Sequence, residues 1–574
     1  MQAIILAAGL GRRMRPISDD LHKSLVAVAG TTILGRTLDA LSARGVRDIT
    51  IVTGYRAADI RAFVAARGIP VEFVHNDRFL VTNNIVSLAL ALDAVTLDTD
   101  VVLVECDLLF DPAVLDPLFD GRPGNIALVD RWRPGMDGTV VSVDDGVITH
   151  VWPPHLQGET FDFADKYKTL NVYRFDRDFC RDIFRPLLSS YANFVDGDAF
   201  YELVLGMLVN MKRHTIRAEV VDGTRWAEVD DPNDLAAARF TFDPTARKPL
   251  LDNAFGGLWN YDVLDFAFMR NAHFPTASMM ATMRQALPDL VRSYGSAQPV
   301  LNEKLAWFAG CSPQRVQVLH GASQIFPLLE QTGGPGLIPH PTFGEWNRAF
   351  PHAATYADAP GIDLQTITGG GPVVFVNPNS PTGTTVPTSF VHDFAARNPG
   401  LTVIVDESFI DFSDEEPVQS LLEREPLRNV VVVRSLSKSL GVPGLRLGYV
   451  YSCDESLVNG IGSRLPVWNL SSPAEFFLEL LLKYRRELDE SFRRTIADRA
   501  DFAADLKDVV GTVYEGGGNF LLVHMDRDDG VADRLLAEHR IYVQDVSDRF
   551  GGGTWLRIGV RLPDENALLV RALQ

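Results

Sequence analysis

The sequence predicts an α/β protein with at least two domains, and three observations lead to this prediction. Its 574 residues are more than one hydrophobic core usually accommodates. Strand-like apolar runs alternate with segments of helical spacing in the N-terminal part, which is typical of a doubly wound sheet of parallel strands. Residues 242–252 contain two prolines and no apolar period, so they predict a linker between domains at residues 1–241 and 253–574.

The N-terminal elements follow one another in a regular order. An unbroken apolar run over residues 2–7 has the composition of a buried parallel strand. Further strands are expected over 48–52, 71–74 and 100–107, and helices over 34–43 and 58–66. Another helix opens after Asn83, which suits the N-cap position. The strand over 100–107 ends in acid, and ligands of such sheets collect at the carboxyl ends of the strands.

Composition excludes several classes of function. The formal charge of −20 would repel nucleic-acid phosphates, so general nucleic-acid binding is not expected. The four cysteines lie far apart without metal-ligand spacing, which favours reduced thiols in a cytoplasmic protein. No apolar run approaches 18 residues and no signal-like segment follows Met1, so neither a membrane span nor export is expected.

A glycine-rich loop with basic residues follows the first strand. It runs from Ala8 to Arg13, and Lys23 follows it. Glycines let backbone amides approach phosphate oxygens closely, and the cations add charge attraction. A dinucleotide fingerprint would need a third glycine, and a P-loop would need Gly-Lys-Ser/Thr, and both are absent. The loop therefore predicts a phosphate site of another kind.

This loop resembles the N-terminal signature of the sugar-nucleotidyltransferase superfamily, although His22 stands where a proline is usual before Lys23. Residues 83–88 are similar to a stretch near the nucleotide in the phosphocholine and aminophosphonate cytidylyltransferases. The resemblance implies CTP as the nucleotide, with UTP left open, and a catalytic role for Lys23. The residues it implies for nucleotide binding are Leu6, Ala8, Gly9, Gly11, Arg12, Arg13, Lys23, Asn84 and Ser87.

Two acids are the candidate ligands of a magnesium ion. Phosphoryl transfer needs Mg²⁺ held by carboxylates. Asp107 stands at the carboxyl end of its strand, and Asp230 matches the late acid of the superfamily. Asp231 is the alternative, although Pro232 behind it suits the start of a helix that Asp231 would cap.

The acceptor substrate is expected to meet a basic strand and an acidic turn. Residues 166–173 resemble the Lys-Thr-x-Asn-x-Tyr stretch of the aminophosphonate cytidylyltransferases, which implies that Lys168 holds the acceptor's phosphoryl group. A solvated strand lysine is the alternative. Asp196, Asp198 and Glu202 line an acidic turn and helix where a substrate ammonium group could lie.

A lysine after a strand is the central feature of the C-terminal half. Residues 430–433 are strand-like, and Lys438 follows them, with Ser435 and Ser437 beside it and Arg446 farther on. This pattern suits an aldehyde cofactor with a phosphate tail. The lysine amine condenses with the aldehyde, while the serines and the arginine hold the phosphate.

An acid and two arginines complete the pattern. Asp406 ends another apolar strand, and a buried carboxylate there can keep a pyridine nitrogen protonated. The guanidinium group of Arg557 can donate two hydrogen bonds to a substrate carboxylate or another oxyanion. Arg561 is expected on the same face of the same strand, where it could hold a second anionic group.

With the Asn-Pro-Asn-Ser-Pro-Thr-Gly stretch over residues 377–383, these features resemble the fold-type I pyridoxal-phosphate enzymes. The nearest branch contains histidinol-phosphate aminotransferase and threonine-phosphate decarboxylase. The resemblance implies pyridoxal 5'-phosphate, with Phe343 over its pyridine face, and a homodimer in which Tyr294 reaches the other subunit's cofactor. The residues it implies for cofactor binding are Tyr294, Ala322, Ser323, Phe343, Asn379, Ser380, Asp406, Ser435, Ser437, Lys438 and Arg446.

Two residues depart from the family pattern. Ser380 stands where an asparagine usually precedes Pro-Thr-Gly, with Asn379 one residue earlier. Phe409 stands where the aminotransferases often have tyrosine. Phe409 and Arg561 look more like the decarboxylase branch, so the cofactor is predicted more firmly than the reaction.

A cytidylyltransferase joined to such an enzyme resembles the bifunctional 2-aminoethylphosphonate cytidylyltransferase–transaminases. We expect transamination of phosphonoacetaldehyde by an amino-acid donor, followed by CTP-dependent formation of CMP-aminoethylphosphonate and pyrophosphate. The alternative is decarboxylation of phosphoserine or phosphothreonine, followed by a cytidylyl transfer of the CDP-ethanolamine type. A catalytically silent C-terminal module is a third possibility, which intact Lys438, Asp406 and Arg446 disfavour.

Overall fold

The computed structural model describes residues 1–329, 336–358, 371–526 and 530–574. The chain forms two compact units, Met1–Asp262 and Val263–Gln574. Among the described residues, no helix combines the length and the apolar character that crossing a bilayer requires.

The N-terminal unit is built from short strands and helices that alternate along the chain. The strands are β1 (Gln2–Ala7), β2 (Ala27–Val28), β3 (Thr31–Thr32), β4 (Asp48–Thr53), β5 (Glu72–His75), β6 (Val101–Glu105), β7 (Leu108–Phe110), β8 (Asn125–Arg131), β9 (Val140–Asp144), β10 (Val147–Trp152), β11 (Tyr167–Phe175), β12 (Ile216–Val220) and β13 (Trp226–Glu228). The α-helices are α1 (Ile17–Asp20), α2 (Ile33–Ala43), α3 (Ala57–Arg67), α4 (Asn84–Ala94), α5 (Asp116–Phe119), α6 (Arg177–Phe179), α7 (Arg185–Phe194), α8 (Tyr201–Asn210), α9 (Pro232–Phe242) and α10 (Pro244–Ala254).

Nine of these strands form one mixed sheet, in the order β5-β4-β1-β6-β11-β8-β12-β10-β9. Strands β5, β4, β1 and β6 are parallel, as the alternation of strands and helices predicts. Strand β11 runs antiparallel to both β6 and β8, and β10 is antiparallel to β9 and β12, so the expectation of a parallel sheet holds for only part of it. The reversal places β11, with Lys168, beside the strand that leads to Asp107.

Strand β1 shows why the centre of this sheet needs apolar residues on both faces. Ile4 and Leu6 enter the hydrophobic core on one side, and Ala3, Ile5 and Ala7 enter the core on the other. Successive side chains of a strand point to opposite faces, so a strand covered by helices on both sides reads as a continuous apolar run.

Most of the expected linker is helical. Helix α10 begins at Pro244, where the missing amide proton costs nothing, and the Asp243 side chain accepts a hydrogen bond from the Thr245 amide. Pro249 lies inside this helix. The compact units are divided between Asp262 and Val263, beyond the expected linker.

The C-terminal unit contains a larger set of elements around a second sheet. The strands are β14 (Leu264–Asp265), β15 (Val316–His320), β16 (Leu337–His340), β17 (Ala354–Ala357), β18 (Val373–Val376), β19 (Val403–Asp406), β20 (Val430–Ser435), β21 (Leu447–Tyr451), β22 (Thr512–Glu515), β23 (Phe520–Met525), β24 (Ile541–Tyr542), β25 (Gln544–Asp545) and β26 (Thr554–Gly559). The α-helices are α11 (Ala277–Val291), α12 (Gln298–Ala309), α13 (Phe326–Leu329), α14 (Gly344–Ala349), α15 (Thr388–Arg397), α16 (Val418–Arg424), α17 (Leu436–Ser439), α18 (Glu455–Gly462), α19 (Ser472–Leu481), α20 (Arg485–Lys507), α21 (Val531–His539) and α22 (Pro563–Leu573).

The main sheet of this unit has the order β15-β21-β20-β19-β18-β16-β17. All neighbours are parallel except β21, which is antiparallel to both β15 and β20. A smaller antiparallel sheet, β22-β23-β26-β25, lies in the C-terminal part of the unit. Strands β19 and β20 end at Asp406 and just before Lys438, which places both residues at the carboxyl edge of the main sheet.

Gly448 on β21 has backbone atoms close on several sides. A Cβ atom there would lie 2.5 Å from the Ala322 nitrogen and 2.9 Å from the Arg434 oxygen. Gly448→Ala must therefore shift the turn after β15, and we expect the free energy of unfolding to fall by about 1–3 kcal/mol. Denaturant unfolding measures this effect. Gly460→Ala is the control, because its Cβ would meet nothing within 4 Å; equal stability of the two variants would contradict the prediction.

Candidate active sites

A cavity of about 560 Å³ opens at the carboxyl end of the N-terminal sheet. It is lined by ten of the residues that the sequence predicts for the nucleotide, metal and acceptor: Leu6, Ala8, Gly9, Arg13, Lys23, Asn84, Ser87, Asp107, Lys168 and Asp230. Gly11 and Arg12 are not among the residues that line it. Gly11 instead shapes the loop, because its φ of +59° lies in the left-handed region.

Lys23 joins the two predicted metal ligands. Its Nζ donates hydrogen bonds to Asp107 Oδ2 at 2.6 Å and to Asp230 Oδ1 at 3.1 Å. The buried His22 side chain accepts from the Ser24 amide and so caps the short turn that carries Lys23. Burial works against the charge of Lys23, but Asp107 and Asp230 outweigh it and raise the pKa of Lys23 well above its usual value.

Asp230, rather than Asp231, faces the cavity. Asp231 caps α9, accepting from the amides of Asn233 and Asp234, which is the role that Pro232 suggests for it. Arg13 also donates to Asp230 Oδ2 at 2.6 Å. Among the described residues, no group of three or more His, Cys, Asp or Glu side chains is arranged to hold a metal ion. Two carboxylates that leave further positions to phosphate and water are what Mg²⁺ commonly uses, so Asp107 and Asp230 fit that ion.

Glutamates surround the predicted acceptor lysine. Lys168 Nζ donates to the Thr169 carbonyl at 2.8 Å and lies 3.1 Å from Glu228 Oε2. Glu105 and Glu202 line the same cavity. Burial raises the pKa of Glu202 and of Glu228 to about 7, although the charge of Lys168 opposes it.

The structure separates the predicted acidic turn into two parts. Asp196 and Asp198 are exposed, and only Glu202 reaches the cavity. Sequence reasoning missed Glu105 and Glu228 as site residues. Both stand two positions before a predicted metal ligand, at the ends of β6 and β13, and line the same cavity as those ligands.

In the C-terminal unit, Lys438 lies at the start of a short helix after β20. Its Nζ donates to Ser435 Oγ at 3.1 Å and lies 5.7 Å from the centre of the Phe409 ring. Burial lowers the pKa of Lys438 to about 8, with Arg446 and Arg557 adding to the effect and Asp406 opposing it. A lysine with this pKa is partly neutral near pH 8 and can act as a nucleophile.

Asp406 is held in one orientation by hydrogen bonds. Ser408 donates to its Oδ1 through the hydroxyl at 2.5 Å and the amide at 3.1 Å, and the buried Trp346 donates to Oδ2 at 3.0 Å. The Ser408 hydroxyl also accepts from the Ser435 amide, so the acid of β19 is tied to the end of β20.

The predicted phosphate residues come together from distant parts of the chain. Arg446 Nη2 donates to Ser323 Oγ at 3.1 Å, across 123 residues. Gly321 permits this contact, because a Cβ there would lie 2.4 Å from Arg446 Nη2. Ser437 Oγ is buried and has no hydrogen-bond partner among the described residues. Ala322 begins the turn after β15 in which Ser323 lies.

Residues 3–156 match the MobA-like NTP transferase domain, and residues 262–573 match the family of class I and II aminotransferases. The CMP-5'-(3-aminopropyl)phosphonate synthase of Streptomyces rubellomurinus is 32% identical over 598 residues, which span 100% of this chain and 94% of that protein. The chain belongs to this synthase family. The match confirms the predicted fusion of a nucleotidyltransferase to an aminotransferase-like enzyme.

Two further likenesses concern the C-terminal unit of this synthase-family chain. Histidinol-phosphate aminotransferase 2 of Gluconobacter oxydans is 29% identical over 317 residues, spanning 52% of this chain and 87% of that protein. The crystal structure of L-threonine-O-3-phosphate decarboxylase from Porphyromonas gingivalis has a TM-score of 0.50 and 21% identity, covering 54% of this chain and 98% of that one. The second likeness confirms the predicted fold-type I architecture.

The residues present fit pyridoxal phosphate. Ser323, Ser437 and Arg446 would hold its phosphate, Asp406 its pyridine nitrogen, and Lys438 its aldehyde carbon. The unpartnered Ser437 hydroxyl favours a ligand at this position. When bound, the cofactor supplies a ring that withdraws electrons from a bond at the substrate's α-carbon.

The side chain of Asn379, a predicted cofactor residue, is hydrogen-bonded to other residues of the protein. Its side-chain oxygen accepts from Thr342, and its amide donates to the Pro341 carbonyl, to Thr382 and to Asp358. Both polar atoms of its side chain are therefore hydrogen-bonded to other residues in the protein interior.

Ser380, Phe343 and Tyr294 take three different positions. Ser380 Oγ accepts from Arg557 Nη1 at 3.0 Å, so this serine orients the predicted substrate arginine. Phe343 is 40% exposed at the start of α14, which leaves its ring free to cover a cofactor. Tyr294 is 79% exposed and stacks on Trp468 at 4.4 Å between ring centroids.

The prediction that Arg561 shares the substrate strand with Arg557 is wrong. Strand β26 ends at Gly559, and Arg561 forms an ion pair with Glu565, at 2.8 Å, at the start of α22. The second cation near Arg557 is instead Arg549, which donates to the Thr342 carbonyl at 3.1 Å. Burial, followed by the charge of Arg549, lowers the pKa of Arg557 to about 10. Sequence reasoning missed Arg549, because a glycine-rich turn separates it from β26.

Lys438→Ala is expected to remove the covalent attachment of the cofactor and to leave CMP transfer intact. The wild-type protein should show an absorbance band in the visible or near ultraviolet, and borohydride should fix the cofactor to Lys438, as mass spectrometry of the peptide would show. Lys483→Ala, at an exposed lysine of the same unit, is the control. Loss of both activities in a folded Lys438→Ala protein would refute the separation of the two sites.

The pH dependence of cofactor uptake follows from the pKa of Lys438. Only the neutral amine condenses with an aldehyde, and burial lowers this pKa to about 8. The rate of pyridoxal phosphate uptake by cofactor-free protein should therefore rise with pH up to about 8 and level off above it. Stopped-flow absorbance measures the rate, and a rise that continues to pH 10 would contradict the lowered pKa.

Asp107→Asn is expected to slow CMP transfer by about 100-fold or more and to spare the amine chemistry, because it removes one of two anionic metal ligands. Turnover with CTP at limiting Mg²⁺ measures the effect. Asp222→Asn, at an exposed acid of the same unit, is the control. Near wild-type turnover of the Asp107 variant at limiting Mg²⁺ would show that the metal assignment is wrong.

Proposed function

We propose that this protein makes a small amine bearing a phosphonate in its C-terminal unit and attaches that amine to CMP in its N-terminal unit. The observation that carries the proposal is the full-length likeness, with both domains in the same order, to a CMP-5'-(3-aminopropyl)phosphonate synthase. CTP is the nucleotide and Mg²⁺ the metal ion in this proposal.

In the N-terminal unit, a phosphonate oxygen attacks the α-phosphorus of CTP. The new bond is P–O–P, the bond from the α-phosphorus to the bridging oxygen breaks, and pyrophosphate leaves. A bound Mg²⁺ would neutralise phosphate charge. Arg13 and Lys23 lie where they can bind phosphate oxygens, and Lys23 would move from the two acids toward the nucleotide as the metal takes its place.

Two reactions could supply the amine, and the sequence favours transamination of a phosphonate aldehyde. The arrangement of Arg549 and Arg557 favours the other reaction, which is decarboxylation of an amino acid. Two guanidinium groups at the substrate end can hold a carboxylate and a phosphonate at the same time, whereas the aldehyde carries one anionic group. Decarboxylation of an α-amino acid that carries a phosphonate is therefore our first choice, and transamination is the second.

The decarboxylation needs little from the protein beyond orientation and one proton. The bond between the α-carbon and the carboxylate breaks and carbon dioxide leaves; pyridoxal phosphate, when bound, would supply the electron-withdrawing group for the remaining electron pair. Arg549 and Arg557 would orient the carboxylate. Lys438 would return a proton to the α-carbon.

We also propose that the protein is a homodimer through its C-terminal unit. An exposed apolar patch surrounds the stacked Tyr294 and Trp468, with Val291 70% and Val467 64% exposed. Apolar patches rimmed by polar residues are typical of interaction surfaces.

The reaction type can be decided with three incubations of the purified protein. Decarboxylation predicts carbon dioxide from 2-amino-3-phosphonopropionate or 2-amino-4-phosphonobutyrate, which would give the aminoethyl and aminopropyl phosphonates. Transamination predicts alanine from 2-aminoethylphosphonate plus pyruvate. Phosphoserine alone tests the phosphate series. Addition of CTP and Mg²⁺ should then give a CMP adduct visible by ³¹P NMR.

The expected result is carbon dioxide from a phosphono amino acid and no alanine. An Arg549→Lys variant should lose at least tenfold in kcat/KM, because an ammonium cannot replace a planar guanidinium in a two-point contact. Alanine without carbon dioxide would reverse our order of preference. The absence of every CMP adduct would refute the proposed function as a whole.

A further inference from the structure

The N-terminal cavity contains more carboxylates than its own cations neutralise. Its three cationic side chains are already paired with acids: Arg13, Lys23 and Lys168. Glu105 and Glu202 line the same cavity, and in the fully described N-terminal unit neither forms an ion pair with a lysine, arginine or histidine. Buried carboxylates are normally paired, and the cations whose charge acts on these two, Lys168 on Glu202 and Lys23 on Glu105, are already paired with other acids, so the position can take a further cation.

Of the two glutamates, Glu202 gives the clearer evidence for a ligand. It is the second residue of α8, its exposed fraction is 4%, and its Oε2 has no hydrogen-bond partner. A buried polar atom without a partner usually indicates a ligand, a water or a functional role. The position of Glu202 in the wall of the cavity favours a ligand.

Asn84 holds the two glutamates in relation to each other. Its Nδ2 donates to Glu105 Oε1 at 3.2 Å, and its Oδ1 accepts from the backbone amide of Tyr201 at 3.0 Å, directly before Glu202. The first residue of α4 is thereby tied to the end of β6 and to the start of α8. These contacts occupy the side chain that the sequence assigns to the nucleotide.

We propose that Glu105 and Glu202 form a subsite for the primary ammonium group of the acceptor, with Asn84 as the residue that positions them. The inference deepens the proposed function and rests on it. An ammonium group has three N–H donors and one positive charge, which matches two carboxylates that lack a cation. The phosphonate end of the acceptor then points toward Lys168, whose Nζ has one donor beyond its contacts with Thr169 and Glu228.

The arrangement explains how the site would reject acceptors without an amine. A neutral hydroxyl in place of the ammonium leaves two buried carboxylates uncompensated, and a group left unpaired costs more than its pairing would contribute. The subsite therefore selects for charge at the far end of the acceptor, whereas Lys168 and the metal site act on the phosphonate.

The test compares CMP transfer to 2-aminoethylphosphonate and to 2-hydroxyethylphosphonate by the full-length protein. We expect the wild type to prefer the amine, and Glu202→Gln and Glu105→Gln each to reduce the ratio of the two kcat/KM values by about tenfold or more. The KM for CTP should stay unchanged. Both variants should fold, because glutamine keeps the shape of glutamate and removes a buried charge, and thermal unfolding checks this.

Glu72→Gln, at an exposed glutamate of the same unit, is the matched control and should keep the wild-type ratio. Asn84→Ala should raise the KM for the amine and not the KM for CTP. A rise confined to CTP would return Asn84 to the nucleotide site and overturn its positioning role. An unchanged amine-to-hydroxyl ratio in both glutamine variants, with transfer intact, would overturn the subsite.

Failure of the proposed function can be told apart from failure of the subsite. If the wild type transfers CMP to neither compound nor to 3-aminopropylphosphonate, the proposed function fails. Calorimetric titration with 2-aminoethylphosphonate then tests the subsite. The subsite is supported if the wild type binds 2-aminoethylphosphonate and this binding weakens about tenfold or more in both glutamine variants. Equal binding by all three proteins, or none by the wild type, overturns it.

Discussion

In both units a buried cation near the site is held by an opposite charge beside it. An isolated ion in a protein interior costs several kcal/mol relative to water. Lys23 is stable between Asp107 and Asp230, and Arg434 near the end of β20 is stable because Asp411 lies 2.7 Å away. Such pairs compensate the buried charges while no ligand is bound.

The groups without such partners are informative for the same reason. Glu202 Oε2, Ser437 Oγ and Arg557 Nε are buried atoms with no hydrogen-bond partner among the described residues. They belong to the three places where the proposed chemistry needs an ammonium, a cofactor phosphate and a substrate anion. Their positions agree with the proposed ligand groups, although other buried atoms of the described residues, such as Arg174 Nε and Gln298 Oε1, also have no partner.

The sequence predicts those features that depend on local pattern. Strands β1, β19 and β20 are continuous apolar runs, and the residues at their carboxyl ends necessarily lie at one edge of a sheet. The positions of Asp406 and Lys438 at one edge of the same sheet could therefore be predicted from the sequence. Asp230 could be separated from Asp231 because Pro232 marks the start of a helix that Asp231 caps.

Features that depend on distant contacts could not be predicted in this way. The direction of β11 is decided by its neighbours β6 and β8, and no local signal reports it. Asn379 has the sequence position of a cofactor ligand, but its partner Asp358 is 21 residues away. Arg561 has the spacing of a strand residue, and the end of β26 at Gly559 removes it from that strand.

The proposed acceptor carries both signs of charge, and the two units treat its amine differently. In water an ammonium and a phosphonate are both strongly hydrated, so a site that buries them must replace water at each end. The N-terminal cavity is lined by carboxylates as well as by Lys168 and the predicted metal ligands, and in the proposed subsite the amine would be recognised by its charge. In the proposed C-terminal reaction the substrate amine would itself be the nucleophile toward the cofactor's aldehyde carbon, in place of the neutral amine of Lys438. The same ammonium must therefore be protonated in one unit and lose its proton in the other. This requirement accounts for an excess of buried acid in the first site and of nearby arginines, which favour neutral amines, in the second.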